Sequence, residues 1–253
     1  MTEFIGMPAP RPRGVPAPPR DLQARAAELR SGREPYVLAT VVRAQRPASA
    51  KAGDRALVLP DGTIEGFVGG HCAVDTVRAQ SLRLLRTGQA TLLRITPEVD
   101  QPREEEGLVA VGQPCLSGGT LEIFLEAVLP PVLVHVYGES PIARAFTAIG
   151  QAMGHQVAAA ADPWAAIAPD TTAVLVASHG VSEEPVLRAA LAAGVPYVGL
   201  IASRRRGAAV LAAVEGGDRV HVPAGLDIGA TTPGEVAVSV YAQIIRLGVR
   251  RLP

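Results

Sequence analysis

The chain has 253 residues, no formal net charge and 48% apolar residues. Equal numbers of acidic and basic residues argue against a dedicated binder of nucleic acid or of an anionic membrane, since both need a basic excess. Two cysteines are too few for a disulfide framework. The N-terminus lacks the apolar core of a signal peptide, and no run approaches the roughly 18 apolar residues of a membrane span. We therefore expect a cytoplasmic protein.

The first half of the chain predicts an α+β domain over residues 21–130. It follows a proline- and arginine-rich N-terminus, residues 1–20, that we expect to be flexible. The predicted elements are a helix capped by Asp21 and ending at Ser31-Gly32, a strand at 35–44, a hairpin at 55–68 around Pro60-Asp61-Gly62, an amphipathic helix at 73–86, a strand at 90–96, a loop at 98–107 and a strand at 120–128.

The second half predicts a doubly wound α/β domain over residues 131–253. Leu129-Pro130-Pro131 interrupts the pattern, and strands then alternate with helices, which is typical of a parallel sheet with right-handed crossovers. Strands are expected at 132–138, 155–163, 171–180 and 196–203, and helices at 141–154, at 183–194, after Ser203, and after Thr231 or Thr232. The whole chain is therefore of the α/β class.

The carboxyl end of the first of these strands has an altered nucleotide-binding turn. In open parallel sheets ligands bind beyond the carboxyl ends of the strands, and a dinucleotide turn reads G-x-G-x-x-G/A. In YGESPIARA (137–145), Gly138 and Ala143 fit, but Ser140 replaces the middle glycine, where a side chain crowds a pyrophosphate. Asp162 ends the next strand, where an acid can bind a ribose. NAD(P) binding and a purely structural turn both stay open.

Three further strand ends carry polar groups. Ser203 can cap a helix whose first turn holds Arg204, Arg205 and Arg206. Three cations oppose the helix dipole there, so either a phosphate binds or the turn is simply solvated. His179 follows a strand beside Gly180, where we expect a polar contact to a ligand. Asp227 lies between glycines, and nothing nearby requires its carboxylate.

Both cysteines lie beside glycine pairs, in GGHC (69–72) and CLSGG (115–119). Glycine allows a ligand to approach the backbone closely, and a thiolate is a soft donor for molybdenum, copper(I) or a carried sulfur atom. His71 could lower the pKa of the Cys72 thiol, but only on an irregular backbone, because adjacent strand residues face opposite sides. The alternative is that Cys72 is a small buried filler. If the two loops meet, Cys72 and Cys115 form a two-thiol site or a redox-labile disulfide.

Together, these segments resemble the XdhC/CoxI/CoxF family. The resemblance rests on GGHC, CLSGG, YVGLIASRRR (197–206) and GLDIGATTPGEVA (225–237), and it extends from about Tyr36 to about Arg246. It implies an N-terminal domain with two glycine-flanked cysteines, followed by a Rossmann-like domain. His71 before Cys72, Leu116 and Ser117 after Cys115, the GESPIA turn and the stretch RAQRPASAKAG (43–53) depart from the family pattern and indicate a divergent branch.

The resemblance also implies a function. Members are accessory proteins that mature molybdenum hydroxylases such as xanthine dehydrogenase and carbon monoxide dehydrogenase. This chain would bind molybdenum cofactor, as molybdopterin or its cytosine dinucleotide form, and would assist its sulfuration and its delivery to a client hydroxylase. A cysteine desulfurase is an implied second partner, and a homodimer is the implied assembly. Binding and release matter more here than catalytic turnover.

The implied site residues fall into two sets. Cys72 and Cys115 would carry the sulfur chemistry, and no resident metal ligands are expected. The residues expected to bind the cofactor are Gly69, Gly70, His71, Gly118, Gly119, Gly138, Ser140, His179, Ser203, Arg204, Arg205 and Asp227. Two other functions stay open, an NAD(P)-binding oxidoreductase and a cysteine-based redox or copper(I)-handling protein.

Overall fold

The structure is a computed structural model that describes residues 21–99, 101–112, 119–160 and 167–248. The chain divides into two compact units, the first ending at Pro130 and the second starting at Pro131. Each unit has a sheet and a hydrophobic core of its own. Within the described ranges, no helix is both long enough and apolar enough to cross a membrane.

The first unit is a mixed sheet with helices. Its described elements are α1 (Leu22–Ser31), β1 (Tyr36–Ala44), β2 (Arg55–Val58), β3 (Ile64–Gly66), α2 (His71–Thr87), β4 (Ala90–Thr96), β5 (Arg103–Glu105), β6 (Leu108–Gly112) and β7 (Leu121–Val128). The strand order is β3-β2-β1-β7-β4-β6-β5. The β4–β6 pair is parallel and the other pairs are antiparallel.

Local signals account for the first elements. The Asp21 carboxylate accepts the Gln23 N–H at 3.0 Å, which confirms the predicted N-cap of α1. In the hairpin, the Asp61 carboxylate accepts the Thr63 N–H at 2.8 Å and stabilises the predicted turn. Along β1, alternate residues point into the core, and α2 packs its buried face on the same side of the sheet.

The predicted loop at 98–107 is wrong in part. Residues Arg103–Glu105 form β5 and pair antiparallel with β6, which had no predicted counterpart. All three residues of β5 are exposed, so a short edge strand here has the composition of a loop. The predicted second helix also begins earlier than expected, at His71 rather than at residue 73.

The second unit is a parallel sheet covered on both faces. Its described elements are β8 (Leu133–Tyr137), α3 (Pro141–Ala152), β9 (Gln156–Ala160), β10 (Thr171–Val176), α4 (Glu183–Ala192), β11 (Tyr197–Leu200), α5 (Arg204–Leu211), β12 (Val220–His221) and α6 (Pro233–Arg246). The order β12-β11-β10-β8-β9, with every pair parallel, confirms the predicted doubly wound fold. The short strand β12 was not predicted.

Alternation along β10 assigns the helices to the two faces of this sheet. Ala173 and Leu175 pack in one cluster with residues of α3 and α6, whereas Val174 and Val176 pack in another with residues of α4 and α5. From β8 the chain proceeds to one side of the sheet, and from β10 it proceeds to the other. The carboxyl ends of β8 and β10 are therefore the topological switch point, where open sheets bind ligands.

Candidate functional site

Cys72 lies in the first turn of α2, as its second residue. Gly69 has φ +134° and is packed against Ala73, and Gly70 is the N-cap, with no side chain capping the helix. His71 and Cys72 are therefore helical rather than extended. This corrects the expectation that a strand would turn them to opposite faces, and it makes the positive end of the α2 dipole part of their environment.

The two glycine segments of the first unit meet at a pocket of about 90 Å³. Gly119, from the second segment, has no room for a Cβ because that atom would overlap the carbonyl oxygen of Pro47. The pocket is lined by Pro47, Ala48, Ser49, Gly70, His71, Cys72, Ala73, Ile95, Gly119 and Leu121. Cys115 and Gly118 lie outside the described residues, so a two-thiol site stays a prediction.

The chemistry of this pocket centres on the half-buried Cys72. The α2 N-terminus favours a negatively charged sulfur, and a thiolate is the form that binds soft metals or carries sulfur. The exposed His71 lies at the same pocket, where an imidazole can exchange protons with a bound group. The arrangement can hold a small soft ligand against a backbone that glycine leaves open.

In the second unit, a cleft of about 530 Å³ opens at the topological switch point. Two loops form it, one following β8 and one following β10. The lining residues are Tyr137, Gly138, Glu139, Ser140, Pro141, Ala177, Ser178, His179, Val181, Ser182 and Val186. Gly138, Ser140 and His179 of the expected binding set are thus brought together.

The first cleft loop is not built like a standard dinucleotide turn. The Ser140 Oγ accepts the Ala143 N–H at 3.1 Å and caps α3, and Ser140 is buried. Pro141 has no N–H. Two of the first three helical positions therefore offer no N–H to a pyrophosphate, which weakens the anion site that such turns normally supply.

The second cleft loop holds an unusual backbone. His179 has φ +55° and Ser182 has φ +50°, a left-handed conformation that costs energy for residues other than glycine. Ser178 Oγ donates to the Val181 carbonyl oxygen at 2.7 Å. His179 itself is exposed and lines the cleft, and its contact to a ligand stays a prediction.

The three arginines after β11 fall into two groups. Ser203 Oγ caps α5 by accepting the Arg206 N–H at 3.3 Å. Arg204 and Arg205 are exposed, and in the ranges that the structure describes neither guanidinium has a hydrogen-bond or ion-pair partner. Arg206 instead turns inward and pairs with the buried Glu183. Two cations are therefore available to an anion, rather than three.

Asp227 lies in an exposed loop between β12 and α6, at the carboxyl edge of the same sheet but outside the residues that line the cleft. The loop is anchored at its start, where the Gln243 Oε1 accepts the Gly225 N–H at 2.8 Å and the Tyr197 hydroxyl at 2.7 Å. Burial raises the pKa of Tyr197, so its hydroxyl stays protonated and donates.

Some residues of these sites were missed in the sequence. Pro47, Ala48 and Ser49 form a wall of the Cys72 pocket, and the departure of the stretch 43–53 from the family pattern was the available signal. Glu183 was missed because an acid in the first turn of a helix has an ordinary explanation in the helix dipole. Nothing in the sequence separates Arg206 from its two neighbours.

Family models of known proteins match both halves of the chain. The family model described as "XdhC and CoxI family" matches residues 29–96, and the model described as "XdhC Rossmann domain" matches residues 134–244. The two matched ranges contain most of the residues that form the two candidate sites.

Individual relatives are more distant. The chain is 28% identical over 256 aligned residues to the uncharacterised protein YqeB of Escherichia coli K12, an alignment that covers 88% of this chain. It spans only 45% of that protein's length. A solved structure described as a xanthine dehydrogenase from Bacillus halodurans has a TM-score of 0.43 and 18% identity, over 88% of this chain and 94% of the other.

Proposed function

The chain belongs to the XdhC and CoxI family, and from this premise we propose that it is an accessory protein of a molybdenum hydroxylase. It would bind the molybdenum cofactor of that enzyme as cargo, assist its sulfuration and deliver it. The observation that carries the proposal is that each family model matches one unit: residues 29–96 include the glycine segment around Cys72, and residues 134–244 include the strand ends from Gly138 to Asp227.

The first unit would supply the sulfur chemistry. A thiolate at the start of α2 is a soft donor that can hold molybdenum through sulfur or carry a sulfur atom received from a cysteine desulfurase. The backbone at Gly70, where the nearest side-chain atom to a Cβ position is 3.8 Å away, leaves space for a cargo to reach the thiolate. His71, at the same pocket, would accept the proton of the Cys72 thiol and return it.

The second unit would hold the organic part of the cargo. The pterin phosphate would bind the guanidinium groups of Arg204 and Arg205, which have no partner among the described residues, at the N-terminus of α5. The cleft lined by Gly138, Ser140 and His179 offers a partly apolar surface for a ring, with an imidazole and backbone groups at its rim. These are the features that a phosphorylated heterocycle needs.

The two competing functions have less support. Ser140 and Pro141 remove N–H groups that an NAD(P) pyrophosphate normally uses. A copper(I) or thiol-redox role needs a second sulfur near Cys72, and the other cysteine, Cys115, lies outside the described residues. We therefore place the cofactor-delivery role first.

The test is co-purification of the cargo. Protein isolated from cells that are making molybdenum cofactor should carry a pterin that becomes fluorescent after oxidation. Cys72→Ser should retain much less of the metal and sulfur, and Arg204→Ala with Arg205→Ala should bind the pterin roughly tenfold more weakly per lost charged hydrogen bond. Ala79→Ser, on the exposed side of α2, is the matched control. Wild-type protein free of pterin would contradict the proposal.

A further inference from the structure

One buried charge in the second unit has no role in the binding described so far. The Glu183 side chain is only 3% exposed, although it begins α4 at the protein surface. Its Oε1 accepts the Gly180 N–H at 2.9 Å, and its Oε2 accepts from Arg206 Nη1 at 2.6 Å. Arg206 Nη2 then donates to the Ile201 carbonyl oxygen at 2.8 Å.

This chain of hydrogen bonds connects two strand ends. Gly180 belongs to the loop after β10, which carries His179, and Ile201 and Arg206 belong to the segment after β11, which carries Arg204 and Arg205. A buried carboxylate is unfavourable unless it is paired and hydrogen-bonded, and here each oxygen has a donor from a different segment. If Glu183 only filled space in the core, an apolar side chain would serve as well.

The loop after β10, to which Glu183 is hydrogen-bonded, has a strained backbone. His179 and Ser182 both adopt positive φ, and such backbone conformations persist only where surrounding contacts fix them. The Gly180 N–H lies between these two residues, so its bond to Glu183 fixes the loop at its centre. At the α5 end, the ion pair with Glu183 compensates the positive charge of Arg206, so that the first turn of α5 carries fewer uncompensated cations.

We propose that Glu183 and Arg206 are positioning residues that couple the His179 loop to the Arg204–Arg205 turn. The pair sets the distance between a ring bound at the cleft and a phosphate bound at α5, and it makes order at one strand end depend on order at the other. This inference rests on the proposed function, since it concerns the same cargo. Because coupling is reciprocal, an anion on Arg204 and Arg205 also tightens the His179 loop.

The test uses the ¹⁵N-labelled full chain and inorganic pyrophosphate as the probe. Gly180 amide exchange reports the hydrogen bond to Glu183, whereas the Arg206 guanidinium donates its hydrogen bonds to Glu183 and Ile201. We expect the Gly180 amide of Arg206→Gln and of Glu183→Gln to exchange at least about tenfold faster than in the wild type. Glu184→Gln is the matched control, because its exposed carboxylate is one residue away and 4.0 Å from Arg188; its Gly180 exchange should be unchanged.

Pyrophosphate separates this inference from the proposed function. In the wild type it should shift the amide signals of Arg204, Arg205 and Gly180 along one binding curve, and in the two variants it should shift only those of α5. Signals that move together in the variants, with unchanged Gly180 exchange, would overturn the coupling and leave the proposed function intact. A wild type whose α5 signals do not respond would overturn both.

A conservative variant guards against general unfolding. Arg206→Lys keeps a positive charge opposite Glu183 and should restore most of the Gly180 protection that Arg206→Gln loses. Gly180 exchange in Arg206→Gln that is faster only to the same degree as exchange of the core amides would reflect general unfolding and would overturn the inference.

Discussion

Gly138 occupies a position at the cleft where backbone meets backbone. Its φ of +107° is left-handed, and a Cβ built on it would lie 2.5 Å from the Ala177 carbonyl oxygen. The backbone at Gly138 cannot move away from Ala177 without separating β8 from β10 at the switch point. The glycine is therefore required by the fold, whatever ligand binds.

We predict that Gly138→Ala lowers the free energy of unfolding by about 2–4 kcal/mol, since it adds a steric overlap to backbone strain. Gly154→Ala is the control, because Gly154 has φ +78° but nothing within 4 Å of a Cβ. It should cost only about 1 kcal/mol. Urea unfolding of the two variants measures the difference, and equal losses would show that the overlap at Gly138 relaxes without cost.

Single residues also mark the limit of what could be predicted for the site. The glycines, Cys72 and the arginines stand out by type, so the sequence alone predicts where chemistry lies. The direction of a side chain is decided by its neighbours: Ser140 turns back to cap α3, and Arg206 turns inward to Glu183. These contacts join segments that are distant in sequence, and no local pattern encodes them.

At the scale of elements, α6 has the best-defined start. Thr232 is its N-cap, and Glu235 returns to accept the Thr231 N–H at 2.7 Å and the Thr232 N–H at 2.9 Å, completing a capping box. These hydrogen bonds, led by the one from Thr231, lower the pKa of Glu235 to about 2. The loop that carries Asp227 is thereby tied to the helix.

We predict that the Glu235 carboxyl titrates near pH 2 in the folded chain, as measured by NMR. Its pKa is lower than in the unfolded chain, so its contribution to stability is complete above about pH 4.5 and is lost as the pH falls towards 2. Glu235→Gln should remove this part of the acid dependence. A titration midpoint near the ordinary glutamate value would contradict the capping box.

The helices and strands were predicted correctly where local signals are strong, and they were missed where only pairing with a neighbouring strand makes a segment a strand. The caps at Asp21, Ser203 and Thr232 and the turn at Asp61 fixed their elements because each is a short-range hydrogen bond. The short strands β5 and β12 have no apolar alternation, and only their neighbours β6 and β11 make them strands. Such pairings are non-local.

For the whole molecule, two histidines of the second unit set a pH dependence. Burial lowers the pKa of His135 in β8 and of His221 in β12, while the nearby Asp170 acts in the opposite direction on His135. The unfolded chain therefore binds more protons than the folded one below about pH 6.5. Stability is complete above that pH and falls as the medium becomes more acidic.

We predict a lower free energy of unfolding at pH 5.5 than at pH 7.5, from urea unfolding at both. His221→Phe keeps a ring stacked on Tyr197, where the centroids are now 4.7 Å apart, and it removes the titrating group. The variant should lose less stability between the two pH values than the wild type. An equal loss in both would assign the pH dependence to other groups.

The edges of the first unit's sheet bear on how copies of the chain associate. At its two edges lie β3 and β5, each of three residues, and β5 consists of one arginine and two glutamates. Short, charged edge strands offer few backbone hydrogen bonds to a strand of another copy. Copies should therefore not join these sheets into a continuous ribbon, and concentrated protein should resist fibre growth from this unit. A homodimer formed through this unit would have to be built from side-chain surfaces instead.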